Sequence, residues 1–129
     1  MTVSGGRRRI GSTEGRAALA RWRADPSAVE RSDLAAAVRV TLEQLAEAAP
    51  GGVVEVRVPP HGVVQCVEGS KHTRGTPPNV VETEADTWLA LVVGTLTWAD
   101  AVESGRVRAS GNRADLAAYL PLNPGTVTG

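Results

Sequence analysis

The sequence predicts an α+β fold, an open mixed α/β arrangement in one domain. Two helix patterns fill residues 12–49, three Val-rich strand patterns follow within 53–82, and residues 83–120 hold two helices, a strand and a last helix. Helices and strands that are grouped in this way, and do not alternate as repeated βαβ units, favour the α+β class. A length of 129 residues is typical of one domain.

The domain is predicted to span residues 12–122, between two tails. Residues 1–11 are rich in Gly and Arg and are expected to be a disordered N-terminal tail, and residues 123–129 form a C-terminal tail. Arg7, Arg8 and Arg9 are interpreted as solvated charges at a frayed terminus; a nucleic-acid or membrane patch is the less favoured alternative.

Composition argues against several classes of protein. The 14 basic and 14 acidic residues balance, so no nucleic-acid partner is predicted. Cys66 is the single cysteine, which excludes an internal disulfide and favours a reducing compartment. No apolar segment follows the arginines as in a signal peptide, and no run approaches the ~20 apolar residues of a membrane span. The predicted location is cytoplasmic, without stable membrane insertion.

The first half begins with two helices. Glu14–Ala24 is predicted as a short helix that Asp25-Pro26 would end, because the residue before a proline disfavours helical backbone. Ser32 is the predicted N-cap of a longer helix that runs to about Ala49. Its apolar residues recur at steps of three and four and would face a core: Leu34, Val38, Leu42, Leu45 and Ala49.

Strand patterns follow. Val53–Val58 and Val63–Val67 are rich in β-branched residues and are separated by a Pro/Gly turn, so they predict an antiparallel hairpin. Glu68–Asn79 is a polar loop, and Val80–Glu82 is predicted as a third strand.

Three capping patterns organise the second half. In each, a Thr or Asn precedes an Asp by three residues, as in a capping box, and two of the predicted helices then end at a glycine. A short alternating strand is predicted at Val107–Ser110. The predicted starts are Thr83, Thr97 and Asn112, and the corresponding ends are Gly94, Gly105 and about Leu120.

The stretch from Asp86 to Leu120 resembles the C-terminal half of the sterol carrier protein type 2 domain. Shared features are an apolar helix that ends in Gly, a short helix that ends in Ser-Gly, a basic strand and a final Gly-Asn helix start. The Val-Pro-Pro turn and the Thr-Pro-Pro-Asn loop are similar to a shortened actinobacterial form. The residues that match are Thr83, Asp86, Leu89, Leu91, Gly94, Leu96, Ala101, Ser104, Gly105, Val107, Gly111 and Asn112.

The resemblance implies a sheet of about five strands with helices on one face and an apolar tunnel between them. It also implies non-enzymatic binding of a fatty acyl chain, an acyl-CoA or a sterol-like lipid, with no cofactor. Two departures are present: the chain contains no Phe, although aromatic residues line many relatives' tunnels, and it ends in Thr-Val-Thr-Gly without a peroxisomal tripeptide.

Seven apolar residues are candidates for lining that cavity. From the sequence alone they fit core packing as well as a cavity wall, because a helix face does not show whether it meets side chains or a ligand. They are Trp88, Leu89, Val92, Trp98, Val102, Leu116 and Leu120.

Basic residues supply the candidate polar mouth. Lys71, His72 and Arg74 lie in the Gly/Pro-rich loop, where glycine lets backbone approach a phosphate, a carboxylate or an acyl head group closely. The alternative is that they are solvated charges balanced by nearby Glu residues. Arg106 and its neighbours on the short strand have the same two interpretations.

No metal or catalytic site is predicted. His61, Cys66 and His72 match no tetrahedral ligand spacing, and Cys66 lies in a predicted strand, where a buried thiol is a small hydrophobe. No nucleophile, base and carboxylate are recognisable as a triad, so the chain is predicted not to be an enzyme.

Two alternatives to lipid binding remain open. One is a closed-core structural or interaction protein that uses the 68–79 loop on a protein partner. The other is a stand-alone accessory domain, related to the C-terminal domain of mycothiol-dependent enzymes such as maleylpyruvate isomerase. The metal-binding helical domain of that isomerase is not part of this sequence.

Overall fold

The structure, a computed structural model, describes residues 3–69 and 79–122, with side chains from residue 12 onward. It confirms the α+β class. In chain order the elements are α1 (Val3–Ala24), α2 (Arg31–Ala48), β1 (Val54–Val58), β2 (Gly62–Cys66), β3 (Val80–Thr83), α3 (Ala85–Val93), α4 (Trp98–Glu103) and β4 (Val107–Ser110).

Helices α1 and α2 form an antiparallel hairpin. α1 ends at Ala24 as predicted, and a 3₁₀ turn, Pro26–Ala28, reverses the chain. The guanidinium of Arg21 donates two hydrogen bonds to the carboxylate of Asp33, at 3.0 and 2.8 Å. These bonds favour the ionised carboxylate and hold the pKa of Asp33 below its ordinary value.

The two helices approach most closely at Gly15. A Cβ atom placed there would lie 2.5 Å from Cβ of Val40 and 3.0 Å from the carbonyl oxygen of Ala36. Only glycine therefore permits this spacing. The helix also begins earlier than predicted, at Val3 rather than near Glu14.

The sheet has the strand order β2-β1-β3-β4. β1 and β2 form the predicted antiparallel hairpin, whereas β1 and β3 run parallel and β3 and β4 antiparallel. The described residues thus contain four strands, one fewer than the resemblance implied.

The sheet has a core face and an open face. Val54, Val56 and Val58 alternate with Glu55 and Arg57 along β1, and the three valines are 0% exposed. Strands that alternate in this way bury one face and leave the other to solvent. The helices cover the core face.

Charged side chains pair across the open face. Nε of Arg57 lies 2.6 Å from Oε2 of Glu55 on the same strand, and Nη1 of Arg57 lies 4.0 Å from Oε1 of Glu82 on β3. Oε2 of Glu82 also accepts a hydrogen bond of 2.9 Å from Arg108 on β4. Cross-strand pairs of opposite charge stabilise a sheet modestly, by roughly 0.2–1 kcal/mol each.

The predicted capping box of α3 does not form because both of its side chains have other partners. Thr83 is the last residue of β3, and its hydroxyl donates to the carbonyl of Arg106 at 2.9 Å. The carboxylate of Asp86 accepts the indole N–H of Trp22 at 2.8 Å. α3 therefore begins after Glu84, without a side-chain cap.

In α2 the predicted cap also differs. The N-cap is Glu30, with no side-chain capping bond, and Ser32 lies inside the first turn. The predicted cap of α4 is confirmed, since the hydroxyl oxygen of Thr97 accepts the N–H of Asp100 at 3.1 Å.

The predicted last helix, from Asn112 to Leu120, does not form. Asp115 caps a turn instead: its carboxylate accepts the N–H of Ala117 at 2.8 Å, and a single turn follows in which Leu120 N–H donates to Leu116 O at 3.2 Å. Pro121 then prevents continuation, so too few residues remain to nucleate a helix. Among the described residues, no helix is both long and apolar enough to cross a membrane.

Candidate functional site

An apolar groove lies where α3 ends, between the start of α4 and the C-terminal segment. Its volume is about 270 Å³. The C-terminal segment is attached to α3 by the N–H of Leu122, which donates to the carbonyl of Val92 at 3.1 Å. The residues that line the groove are Leu91, Gly94, Leu96, Thr97, Trp98, Ala99, Ala117, Leu120 and Pro121.

Gly94 shapes the groove by turning the chain away from α3. Its φ of 90° is left-handed, a conformation that glycine adopts without the cost that a side chain adds, and the predicted helix end is confirmed. The N–H of Gly94 donates to the carbonyl of Ala90 at 3.0 Å. This turn separates α3 from α4, and the space between them is the groove.

The seven predicted cavity residues divide into two groups. Trp98 and Leu120 line the groove and are half-buried, and Val102 lies near it on α4 with 41% of its surface exposed. The remaining four are 0% exposed and pack in the hydrophobic core between helices and sheet: Trp88, Leu89, Val92 and Leu116.

Trp88 occupies the centre of that core. Its indole N–H donates to the hydroxyl of Thr41 at 2.8 Å, and this hydroxyl lies 2.7 Å from the carbonyl of Ala37. The one polar atom of the ring is thus satisfied without water. The ring belongs to the buried core between the helices and the sheet.

A second cavity, which we call the cleft, has a volume of about 560 Å³ and a polar wall. It lies beyond the carboxyl ends of the parallel strands β1 and β3, between the turn after β1 and the turn before β4. Open sheets commonly bind ligands beyond the carboxyl ends of parallel strands. The lining residues are Pro59, Glu82, Thr83, Glu84, Asp86, Thr87, Ala90, Gly105, Arg106 and Arg108.

The predicted polar mouth falls outside the described residues. Lys71, His72 and Arg74 all lie between residues 69 and 79. The described ends of this loop are held by Asn79 and Arg113: Asn79 Nδ2–H donates to Val53 O at 3.0 Å, and Asn79 Oδ1 accepts the N–H of Arg113 at 2.8 Å.

The described cysteine and histidine, Cys66 and His61, both lie in the β1–β2 hairpin or its turn. Cys66 is 0% exposed on the core face, and burial raises the pKa of its thiol to about 11, so the reactive thiolate is scarce near neutral pH. His61 lies in the β1–β2 turn. Within the described ranges, no cluster of three or more His, Cys, Asp or Glu side chains is placed to hold a metal ion.

Sequence reasoning missed most of the groove and the cleft. Leu91, Leu96, Ala117 and Pro121 come from three separate segments, so no local pattern marks them as neighbours. The cleft joins two strand ends and two turns, and its residues become neighbours only once β1 and β3 are known to be parallel.

Similarity to individual known proteins is low. No curated protein is similar enough to this chain to count as a match. The solved structure of sterol carrier protein 2 like 2 from Aedes aegypti is 22% identical to this chain, with a TM-score of 0.36. The matched region covers 63% of this chain and 94% of that chain.

A family model described as bacterial SCP ortholog matches residues 30–122. The match begins at the N-cap of α2 and ends at the segment that closes the groove, so it leaves out residues 1–29 and 123–129. It spans more than two thirds of the sequence. The chain therefore belongs to the family of bacterial SCP orthologs, and the resemblance to sterol carrier proteins is confirmed.

Proposed function

We propose that this protein binds one apolar chain of a lipid-like ligand, a fatty acyl chain or acyl-CoA, without converting it. The observation on which this rests is the groove, with Trp98 and Leu120 on its walls. Its volume of about 270 Å³ lies just below the roughly 300–1,000 Å³ of typical small-molecule sites. A single alkyl chain suits such a space better than a bulky sterol.

Membership of the sterol-carrier family supports a lipid-like ligand in general. The complete burial of Trp88 and Leu116 supports the surface groove as the proposed site, in preference to the space between helices and sheet. Lys71, His72 and Arg74 lie outside the described residues, and their predicted role in binding a head group stays a prediction.

The driving force is burial of apolar surface. Each CH₂ group that leaves water contributes about 0.8 kcal/mol, which is a factor of about four in affinity. Titration calorimetry with alkanoates of six to fourteen carbons should therefore show affinity that rises with chain length and reaches a plateau once the groove is full.

Two adjacent alanines provide a matched pair of variants. Ala117 lines the groove, whereas Ala118 is exposed outside it. Ala117→Phe should fill the groove and lower the affinity for dodecanoate at least tenfold, and Ala118→Phe should leave it unchanged. Equal affinity in both variants, or an absence of binding to the unmodified protein, would overturn the groove as the site.

A second candidate function is a closed-core interaction protein. It is favoured by the four predicted cavity residues that are fully buried in the core, Trp88, Leu89, Val92 and Leu116. In that case the 68–79 loop would contact a protein partner, and no alkanoate would raise the thermal stability of the protein.

A further inference from the structure

The walls of the cleft are held in place by the protein's own hydrogen bonds. Thr83 is bonded to the backbone of Arg106, Asp86 accepts the indole N–H of Trp22, and Glu82 accepts from Arg108. Each of these bonds is 2.8 or 2.9 Å long. Binding a ligand there would not require these groups to be reorganised.

Two charged side chains of the cleft have no such partner. Among the described residues, neither the guanidinium of Arg106 nor the carboxylate of Glu84 makes a hydrogen bond or an ion pair, and both residues are exposed. Within the described residues, the cleft thus offers one guanidinium group and one carboxylate that have neither a hydrogen-bond partner nor an ion-pair partner.

Helix α4 connects the cleft to the groove. Ala99 lines the groove and Gly105 lines the cleft, and Val102 lies three residues from each. Ala99 and Val102 lie three residues apart on the same side of α4, whereas Gly105 follows the end of the helix at Glu103. Val102 therefore stands in the chain between a residue of the groove and a residue of the cleft. Val102 is one of two large hydrophobic residues found exposed in the described part of the chain, and the six residues of α4 span about 9 Å.

We infer that the cleft receives the polar head of the ligand whose chain fills the groove, and that this head is a zwitterion. Its anionic group would pair with Arg106 and its cationic group with Glu84, while the chain crosses Val102. The inference rests on the proposed function, because the chain must bind in the groove.

The charge of the wall favours a zwitterion over an anion. Three carboxylates, from Glu82, Glu84 and Asp86, face two guanidinium groups, from Arg106 and Arg108. A purely anionic head would meet one unpaired arginine and an excess of negative charge. A purely cationic head would leave Arg106 without a partner.

The test compares three amphiphiles with the same twelve-carbon chain, each below its micelle concentration. They are N-dodecyl-N,N-dimethylglycine, which is zwitterionic, dodecanoate and dodecyltrimethylammonium. Calorimetry at low salt should show that the zwitterion binds at least tenfold more tightly than either of the others, and added salt should reduce this preference.

Substitutions of Glu84 and Arg106 test whether the cleft causes the preference for the zwitterion. Glu84→Gln and Arg106→Gln should each lower the affinity for the zwitterion about fivefold or more, and Glu84→Gln should raise the affinity for dodecanoate. Glu47→Gln and Arg23→Gln, which remove exposed charges of α2 and α1 away from the cleft, are the controls and should change neither affinity.

The outcomes separate the two proposals. Equal affinities for the three amphiphiles, or a preference that both cleft variants leave intact, overturn the head-group inference and leave the groove as a chain-binding site. If none of the three binds, the proposed function fails and the inference fails with it.

Discussion

At the scale of single residues, Trp88 and Val67 show that the local sequence does not reveal a residue's tertiary partners. An indole N–H that is buried needs an acceptor. Its acceptor is Thr41, 47 residues away on another helix, and only the packing of α3 on α2 identifies it.

Val67 adopts a backbone conformation that its residue type disfavours. Its φ of 73° is left-handed, which is unusual for a β-branched residue, and it ends β2 at Cys66, one residue before the predicted end. Two hydrogen bonds hold it there: Val67 N–H donates to Ala49 O at 2.7 Å, and Val53 N–H donates to Val67 O at 3.1 Å. The tertiary contacts override the local preference of valine.

The buried thiol of Cys66 leads to a prediction about reactivity. At pH 8 a disulfide reagent such as dithionitrobenzoate should modify the native protein at least about a hundredfold more slowly than the protein in guanidinium chloride. The reason is that the thiolate reacts, and burial both blocks access and raises the pKa of this thiol to about 11. Absorbance of the released thionitrobenzoate measures both rates.

The raised pKa of Cys66 also determines how the stability of the protein changes with pH. An unfolded thiol loses its proton at about pH 8.5, whereas the folded thiol keeps it until about pH 11. The contribution of Cys66 to stability is therefore complete below about pH 8.5 and declines as the pH rises towards 11. For the reaction with dithionitrobenzoate, a rate in the native protein within tenfold of the rate in the unfolded protein would show that Cys66 is accessible.

At the scale of elements, glycine and proline predicted ends better than capping boxes predicted starts. Gly94 ends α3, and Asp25-Pro26 ends α1, because backbone geometry alone decides these positions. A capping side chain can instead bond to a distant group, as Thr83 does with the backbone of Arg106. The competing partner is invisible in the local sequence.

The contact between α1 and α2 gives a prediction that opposes helix propensity. Gly15→Ala raises helix propensity by about 1 kcal/mol, yet its Cβ would lie 2.5 Å from Cβ of Val40, an atom that cannot move without the backbone. We expect the variant to lower the free energy of unfolding by roughly 1–3 kcal/mol, as overpacking does. Urea unfolding followed by circular dichroism measures the change.

An exposed position on the same helix is the control for Gly15→Ala. Ala17 faces solvent, so Ala17→Gly should lower stability by about 1 kcal/mol through propensity alone. Both variants are thus expected to lower stability, although one replaces glycine with alanine and the other replaces alanine with glycine. A higher urea midpoint for Gly15→Ala would contradict the close packing of the two helices.

At the scale of the whole molecule, the fold class and most strands were predictable, whereas the last helix and the site were not. Hydrophobic alternation identifies β1 and the hairpin because it is local, but the parallel pairing of β1 with β3 depends on residues 25 apart in sequence. The cleft arises from this pairing, and the groove arises from the attachment of Leu122 to Val92, 30 residues apart. The domain limits at residues 12 and 122 stay a prediction.

The role of α1 in the domain leads to the last prediction. The family match begins at residue 30, yet Leu19 and Trp22 of α1 are 2% and 5% exposed and belong to the same core as Trp88. A helix that shares the core should unfold together with it. We therefore expect α1, α2 and the sheet to form one cooperative unit, despite the later start of the family match.

The tryptophans allow this to be measured, because Trp22 lies on α1 and Trp88 on α3. In a variant that keeps only Trp22, with Trp88 and Trp98 replaced by Phe, the fluorescence midpoint in urea should coincide with the circular dichroism midpoint of the same variant. A second variant, which keeps only Trp88, reports the unfolding of α3 in the same way. Comparison within each variant removes the stability change that the substitutions cause. A Trp22 transition at lower urea than the circular dichroism transition would show that α1 detaches first, as an addition to a family domain that folds without it.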